Sequence, residues 1–412
     1  MSVLPGIDVL LRRRLVGGQQ GAGGQHLDLL AGRRVGLIGN TSAVTHDLTS
    51  DVDALRHTPD VQLVALFGPE HGFYAVAADG AAVGSTVDSH TRLPVHSLYG
   101  QECKPTAETL TGIDVLVFDI QSVGVRFYTY ITTLLYVMQA TAEYGVPLVV
   151  CDRPNPIGGE VVEGPILERG FESFVGPEQL PIRHGMTVGE LARLYNKAWE
   201  IGVDAAHPCD LTVAPCAGWK RAMWFDDTGL PWVPPSPAMP WPATAIVYPG
   251  TCLIEGTNLS EGRGTALPFH LVGAPWIDGW RLAKALNQLD LPGVRFRSAT
   301  FCPATHKWAG RRCGGVQLHV NDRRAFRPVT VGLHLIATVK ALYPNEFAWR
   351  KDGERAGDEG AKNDRLHIDL LAGTDKVRRA LDDGVRVADL IASWKDELDQ
   401  FVHMCRPYYL YE

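Results

Sequence analysis

Along the first half of the chain, short apolar runs each end in a polar, Gly- or Pro-rich cluster, and a helical stretch follows. Val35-Gly36-Leu37-Ile38-Gly39 runs into Asn40-Thr41-Ser42, and Val61 to Phe67 into Gly68-Pro69-Glu70-His71-Gly72. Val115-Leu116-Val117-Phe118 runs into Asp119-Ile120-Gln121, and Val146 to Cys151 into Asp152-Arg153-Pro154-Asn155-Pro156. Nearly continuous apolar strands are what a parallel sheet covered on both faces requires. The stretches between them carry helical spacing: Ile131, Leu134, Leu135 and Met138 share one face. Thr187 and Glu190 form a capping box ahead of Leu191, Leu194 and Tyr195. The pattern predicts an α/β fold, a Rossmann-like doubly wound parallel sheet whose ligand crevice lies at the carboxyl ends of the strands. All four polar clusters fall at those ends.

The pattern breaks at Pro231 to Pro249, where Pro234, Pro235, Pro237, Pro240 and Pro242 accompany Trp232 and Trp241. Proline at that density is expected to form a rigid crossover, not a helix or interior strand, with aromatics available to line a cleft. A second, smaller α/β domain follows, with helices over Trp280 to Leu289, Val329 to Leu342 and Val387 to Phe401. The charged, Gly-rich stretch Lys351 to Asp364 reads as a surface loop. Glycines crowd positions 17–24. The expected organisation is a flexible leader over 1–25, an N-terminal domain over 26–235 and a C-terminal domain over 236–412, with no repeat of fixed period.

Two domains also suit 412 residues. Apolar residues at 45% and charged residues at 21% are the balance of a globular chain. With 39 basic and 46 acidic residues the net charge is −7, which disfavours nucleic acid and anionic membrane as partners. No apolar run reaches membrane-spanning length. Arg12, Arg13 and Arg14 follow the N-terminal apolar stretch instead of preceding it, so it does not read as a secretion signal. The eight scattered cysteines lack metal-site spacing. A cytoplasmic protein with reduced thiols is the expectation.

Three clusters carry candidate chemistry. In Gly68-Pro69-Glu70-His71-Gly72-Phe73 the flanking glycines let the backbone turn and leave Glu70 and His71 standing at a strand end. A carboxyl group among Phe67, Phe73 and Tyr74 is in a setting that favours its protonated form, which a general acid needs. The alternative is a turn whose Glu70 accepts hydrogen bonds from the next helix. In the segment from Asp119 to Tyr128, Asp119 and Gln121 suit sugar hydroxyls, and Arg126 either holds a substrate carboxylate or pairs with Asp119. The loop from Glu255 to Thr265 supplies Asn258, Glu261 and Arg263 from the other domain, unless it is merely an internally salt-bridged loop. Tyr128 and Asn155 are further candidate substrate contacts. No Walker loop, dinucleotide fingerprint, nucleophile elbow or His-based metal spacing is present in the sequence. His71, His184 and His270 each lie beside a Gly or Phe, a setting more often structural than catalytic, and of the three His71 is kept as a candidate substrate contact.

These segments, with Pro181-Ile182-Arg183-His184-Gly185-Met186-Thr187, resemble the NamZ-type exo-β-N-acetylmuramidases from about Leu29 onward. The resemblance implies a Rossmann-like domain, a smaller α/β domain and an active-site cleft between them. It implies release of N-acetylmuramic acid from the non-reducing ends of peptidoglycan fragments, a small carbohydrate or muropeptide substrate, and no metal or organic cofactor. The family's acidic residue falls on Glu70. Asp119 or Glu261 would then stabilise the oxocarbenium charge or activate water, unless the substrate's acetamido group serves as nucleophile. Arg126 or Arg263 would read the lactyl carboxylate. The chain departs from the family at Ser122, where relatives often have Asp, at Arg92, where they often have Gly, and at Ala238, where Asn is frequent. Two lobes around a cleft also suit a sugar-binding protein without activity, the competing class. Oligomeric state is left open.

Overall fold

The computed structural model describes residues 2–11, 27–198, 208–351 and 365–412. Its first domain holds the strands β1 (Arg34–Gly39), β2 (Gln62–Gly68), β3 (Thr86–Val87), β4 (Pro94–Ser97), β5 (Val115–Asp119), β6 (Leu148–Cys151), β7 (Glu163–Ile166), β8 (Pro181–Arg183) and β9 (Leu211–Ala214). Seven of these form one sheet in the order β3-β4-β2-β1-β5-β6-β9, and β7 and β8 make a separate two-stranded sheet. Every pairing in the large sheet is parallel except β3 with β4. Numbered along the chain, the six parallel strands lie in the order 3-2-1-4-5-6, that of the doubly wound dinucleotide-binding sheet. The apolar runs explain it: β5 and β6 are buried throughout, as strands covered on both faces must be.

The second domain opens with a helix over Pro242–Thr251 and builds an antiparallel sheet, β10-β12-β11, from β10 (Leu271–Ala274), β11 (Val294–Phe301) and β12 (Cys313–Val320). The expected helices lie at Gly279–Gln288 and Pro328–Leu342. The single helix expected over Val387 to Phe401 is two, Val387–Ala392 and Lys395–Cys405.

Two expectations change. Proline does not exclude a helix at 242–251: Pro242 stands at the first turn, where its missing N–H is unneeded. Residues 2–11 are no loose leader. Gly6–Leu11 is a helix whose Ile7 and Leu10 are fully buried, and the Gly6 N–H donates to the Asp152 carbonyl at 2.7 Å. The remainder of that expected leader, 12–25, and most of the expected loop, 352–364, lie outside the described residues. Arg92 holds φ 64°, left-handed backbone that glycine adopts at no cost.

The domains share one apolar core. Tyr248, from the helix that opens the second domain, packs edge-on against Phe127 at 5.5 Å and Phe269 at 4.6 Å between ring centroids. The chain end also crosses back: Tyr411 donates to Asp152 of the first domain at 2.6 Å. The last residues therefore pack on the first domain.

Candidate active site

Gly68 closes β2, and a Cβ there would lie 2.5 Å from the Phe73 nitrogen, so only glycine lets the chain fold back so tightly. His71 (φ 69°) and Gly72 (φ 79°) complete the turn in left-handed backbone. Glu70 is thereby set at the wall of a cavity of about 1150 Å³ between the domains. Its Oε1 accepts the Gly80 N–H at 2.9 Å and its Oε2 accepts the Thr129 hydroxyl at 2.7 Å. Phe67 and Phe73 are buried near it, but Tyr74 is exposed and its hydroxyl donates to Asp88. His71 lines the same wall. Its Nδ1 lies 2.8 Å from the Ala77 carbonyl, which can only accept, so that nitrogen carries a proton. Nε2 lies 3.6 Å from Asp79.

The opposite wall comes from the loop after the helix Pro242–Thr251. Asn258, Glu261 and Arg263 all line the cavity, as does Glu255. Arg263 donates through Nε and Nη2 to Glu255 Oε1 at 3.1 and 2.8 Å, and through Nη1 to Asp79 at 2.6 Å. Its Nε lies 3.6 Å from Glu261. Burial opposes the guanidinium charge, but Glu255, Asp79 and Glu261 outweigh it and hold its pKa well above the usual value. Glu261 is 2.8 Å from Lys307, whose ammonium also donates to the carbonyls of Ile254 and Thr257. Burial lowers the Lys307 pKa against the pull of Glu261. Asn258 uses its amide on Glu346 and Ala348. Tyr128 lines the cavity and donates to Ser236 at 3.0 Å, and burial raises its pKa.

Four expected site residues lie elsewhere. Asp119 is fully buried and paired with Arg153, whose Nη2 donates to it at 2.8 Å. Arg126 is also fully buried. It donates to the carbonyls of Pro165, Leu180 and Leu371, and burial lowers its pKa to about 9. It thereby joins the two domains, and Asp119 is not its partner. Gln121 gives its amide to the carbonyls of Ser122 and Pro154. Asn155 donates to the Met186 carbonyl and accepts the Ile157 N–H. The proline-rich crossover covers part of the same side of the sheet. Asn40 and Tyr130 both donate to the Pro235 carbonyl, at 2.9 and 2.6 Å, so that segment lies over the carboxyl end of β1 and the start of the helix Tyr130–Tyr144. The cavity is left on the β2 side, where Ser236, Ala238 and Met239 of the crossover line it instead of the expected tryptophans.

The sequence reading missed Asp79, Thr129, His306 and Lys307, all of which line the cavity. Asp79-Gly80 is a turn dipeptide and Thr129 occupies a helix cap, signals that speak of backbone and not of chemistry. His306 and Lys307 have no sequence signal. Backbone strain does single the region out. His71, Phe269, His306 and Trp308 are non-glycine residues with φ between 61° and 69°, and all four line this cavity. Such strain concentrates at functional sites.

The N-terminal model of the exo-β-N-acetylmuramidase NamZ family matches residues 35–243, and its C-terminal model matches residues 246–411. The chain belongs to the NamZ family of exo-β-N-acetylmuramidases. It is 49% identical over 382 residues to the peptidoglycan β-N-acetylmuramidase NamZ of Bacillus subtilis (strain 168), covering 93% of this chain and 88% of that protein. Two crystal structures of DUF1343 family proteins from Bacteroides fragilis NCTC 9343 superpose over 100% of this chain and 99% of theirs. They do so with TM-scores of 0.85 and 0.76 at 37% and 30% identity. In this NamZ-family chain, Glu70 and Thr129 come from the first matched segment, and Glu255, Glu261 and Arg263 from the second.

Proposed function

We propose that the chain hydrolyses peptidoglycan fragments, releasing N-acetylmuramic acid from their non-reducing ends, with Glu70 as the proton donor to the glycosidic oxygen. The family membership and the muramidase relative support the reaction. The placement of Glu70 supports the role: a carboxyl group at the wall of an interdomain cavity large enough for a sugar, with one neutral donor on each oxygen. As the proton leaves, negative charge develops on those oxygens, and the waiting Gly80 N–H and Thr129 O–H bond it more strongly than they bond the neutral acid. Glu261, set between Lys307 and Arg263 in the same cavity, is the carboxylate we assign to the developing oxocarbenium charge. Asp119, buried under Arg153, is not assigned. Arg350 and His306 in the cavity wall suit a sugar that carries a lactyl carboxylate.

The test is Glu70→Gln, assayed on a chromogenic β-N-acetylmuramic acid glycoside. Turnover should fall by about a hundredfold or more, the least that general acid catalysis typically contributes. Turnover near wild type would remove Glu70 from the role.

A further inference from the structure

The arginine of the second domain is tied to the acid of the first. Arg263 Nη1 donates to Asp79 at 2.6 Å, and the next residue along, Gly80, gives its N–H to Glu70 Oε1 at 2.9 Å. Asp79 is flanked by the Nε2 atoms of His71 at 3.6 Å and His306 at 3.4 Å. The ion pair to Arg263 and the hydrogen bond to Glu70 are thus made by adjacent residues of one turn.

Arg263 is itself fixed on every side. Glu255 takes its Nε and Nη2 edge, and the Phe269 ring lies 4.8 Å from the guanidinium carbon. Phe269 holds left-handed backbone (φ 64°) and gives its N–H to the Glu261 carbonyl at 2.6 Å. A Cβ on Gly262 would meet the Leu271 carbonyl at 2.8 Å, and one on Gly264 would meet the Thr305 backbone nitrogen at 2.6 Å. A fork whose bidentate edge serves Glu255 and whose other arm serves Asp79 is poorly placed to read a substrate carboxylate, which would want that same edge.

We infer that Arg263 is a positioning residue for Glu70: reaching from the second domain, it holds Asp79 and thereby keeps the Gly80 N–H on the acid. The inference rests on Glu70 being the proton donor. Because the Gly80 hydrogen bond strengthens as Glu70 loses its proton, its loss raises the barrier of the chemical step and leaves ground-state binding alone.

The experiment measures kcat and KM for the full chain and for Arg263→Gln, Arg263→Lys, Asp79→Asn, the Arg263→Gln/Asp79→Asn double variant and Glu70→Gln. The substrate is the chromogenic muramic acid glycoside, with free N-acetylmuramic acid and N-acetylglucosamine as competing inhibitors. Arg263→Gln and Asp79→Asn should each lower kcat about tenfold or more, the worth of a charge-assisted hydrogen bond, with KM within about twofold of wild type. The double variant should be no worse than the poorer single one, Arg263→Lys should recover part of kcat, and the preference for N-acetylmuramic acid over N-acetylglucosamine should persist. A raised KM with kcat retained, or loss of that preference, would make Arg263 a substrate reader and overturn the inference. If Arg263→Gln does not fold, Asp79→Asn carries the same kcat-against-KM decision. Wild-type turnover in Glu70→Gln would remove the acid itself, a failure separable from that of Arg263.

Discussion

Thr129 stands at the cap of the helix Tyr130–Tyr144 yet makes no capping hydrogen bond. Its hydroxyl goes to Glu70. That division of labour sets what its removal does. Thr129→Val keeps the shape and takes away a donor that matters most when Glu70 is charged. A hydrogen bond to a charged group contributes about 1.5–3 kcal/mol, so kcat should drop by about 10- to 100-fold with little change in KM, and Thr129→Ser should restore most of it. The melting temperature should hardly move, since no cap is lost; a large fall would mean that the residue serves the helix. The same scale explains which site residues were legible in the sequence. Glu70 was, because its turn is encoded locally by Gly68 and Gly72. Asp119 and Arg126 were not. Asp119 finds Arg153 across the sheet, and Arg126 finds carbonyls at Pro165, Leu180 and Leu371. A charged side chain beside a strand end looks the same in sequence whether it faces a cavity or a buried partner.

Elements fix where those residues stand. The helices Pro242–Thr251 and Pro328–Leu342 touch backbone to backbone at two glycines. A Cβ on Gly250 would lie 1.8 Å from the Pro328 carbonyl oxygen, and one on Gly332 would lie 2.3 Å from that of Gly250. Two effects of Gly332→Ala oppose each other. Alanine is the better helix former by about 1 kcal/mol, but overpacking costs about 1–3 kcal/mol or more, and here the obstacle is backbone that cannot rotate away. The clash wins, so calorimetry should show a melting temperature lower by several degrees. Activity should fall as well, because Tyr248, Cys252 and Glu255 of the cavity ride on the first helix and its continuation. A raised melting temperature would disprove the close crossing. Four strands of the large sheet, β1, β2, β5 and β6, were legible at this scale because strands buried on both faces read as unbroken apolar runs, whereas β3, β4 and β9 are partly exposed and were not. The helix at 242–251 was hidden by its own prolines, and β10 and β12, with Gly273, Gly314 and Gly315 where they pair, are thinned by glycines that weaken a strand pattern. The helix Gly6–Leu11 was hidden by its place beside a glycine-rich stretch.

At the scale of the molecule, an acid from one domain and its arginine from the other stay aligned only if the domains are held together, and the chain end contributes to that. Tyr411 donates to Asp152 and accepts the Cys216 N–H at 2.8 Å, and Arg221 lies 3.7 Å from the centre of the Tyr409 ring. Asp152 also accepts from Thr187 and from the Gly189 N–H, both at 2.7 Å. Burial nevertheless pushes its carboxyl up from 3.8 to about 7, with those donors only partly offsetting it. The folded chain therefore keeps a proton that the unfolded chain releases above about pH 4. The stabilisation from this group is full below that pH and is lost as pH rises through about 7. Tyr411→Phe removes a donor that favours the ionised form, so it raises the folded pKa further and steepens the loss. The cost of the substitution, about 1–3 kcal/mol for the stranded partners, should be larger in urea unfolding at pH 8, where Asp152 is charged, than at pH 5, where it is neutral. Equal costs at the two pH values would mean that the tail is held by packing, Tyr411 edge-on to Trp219 at 4.9 Å between ring centroids and Tyr409 under Arg221, with Asp152 indifferent to it.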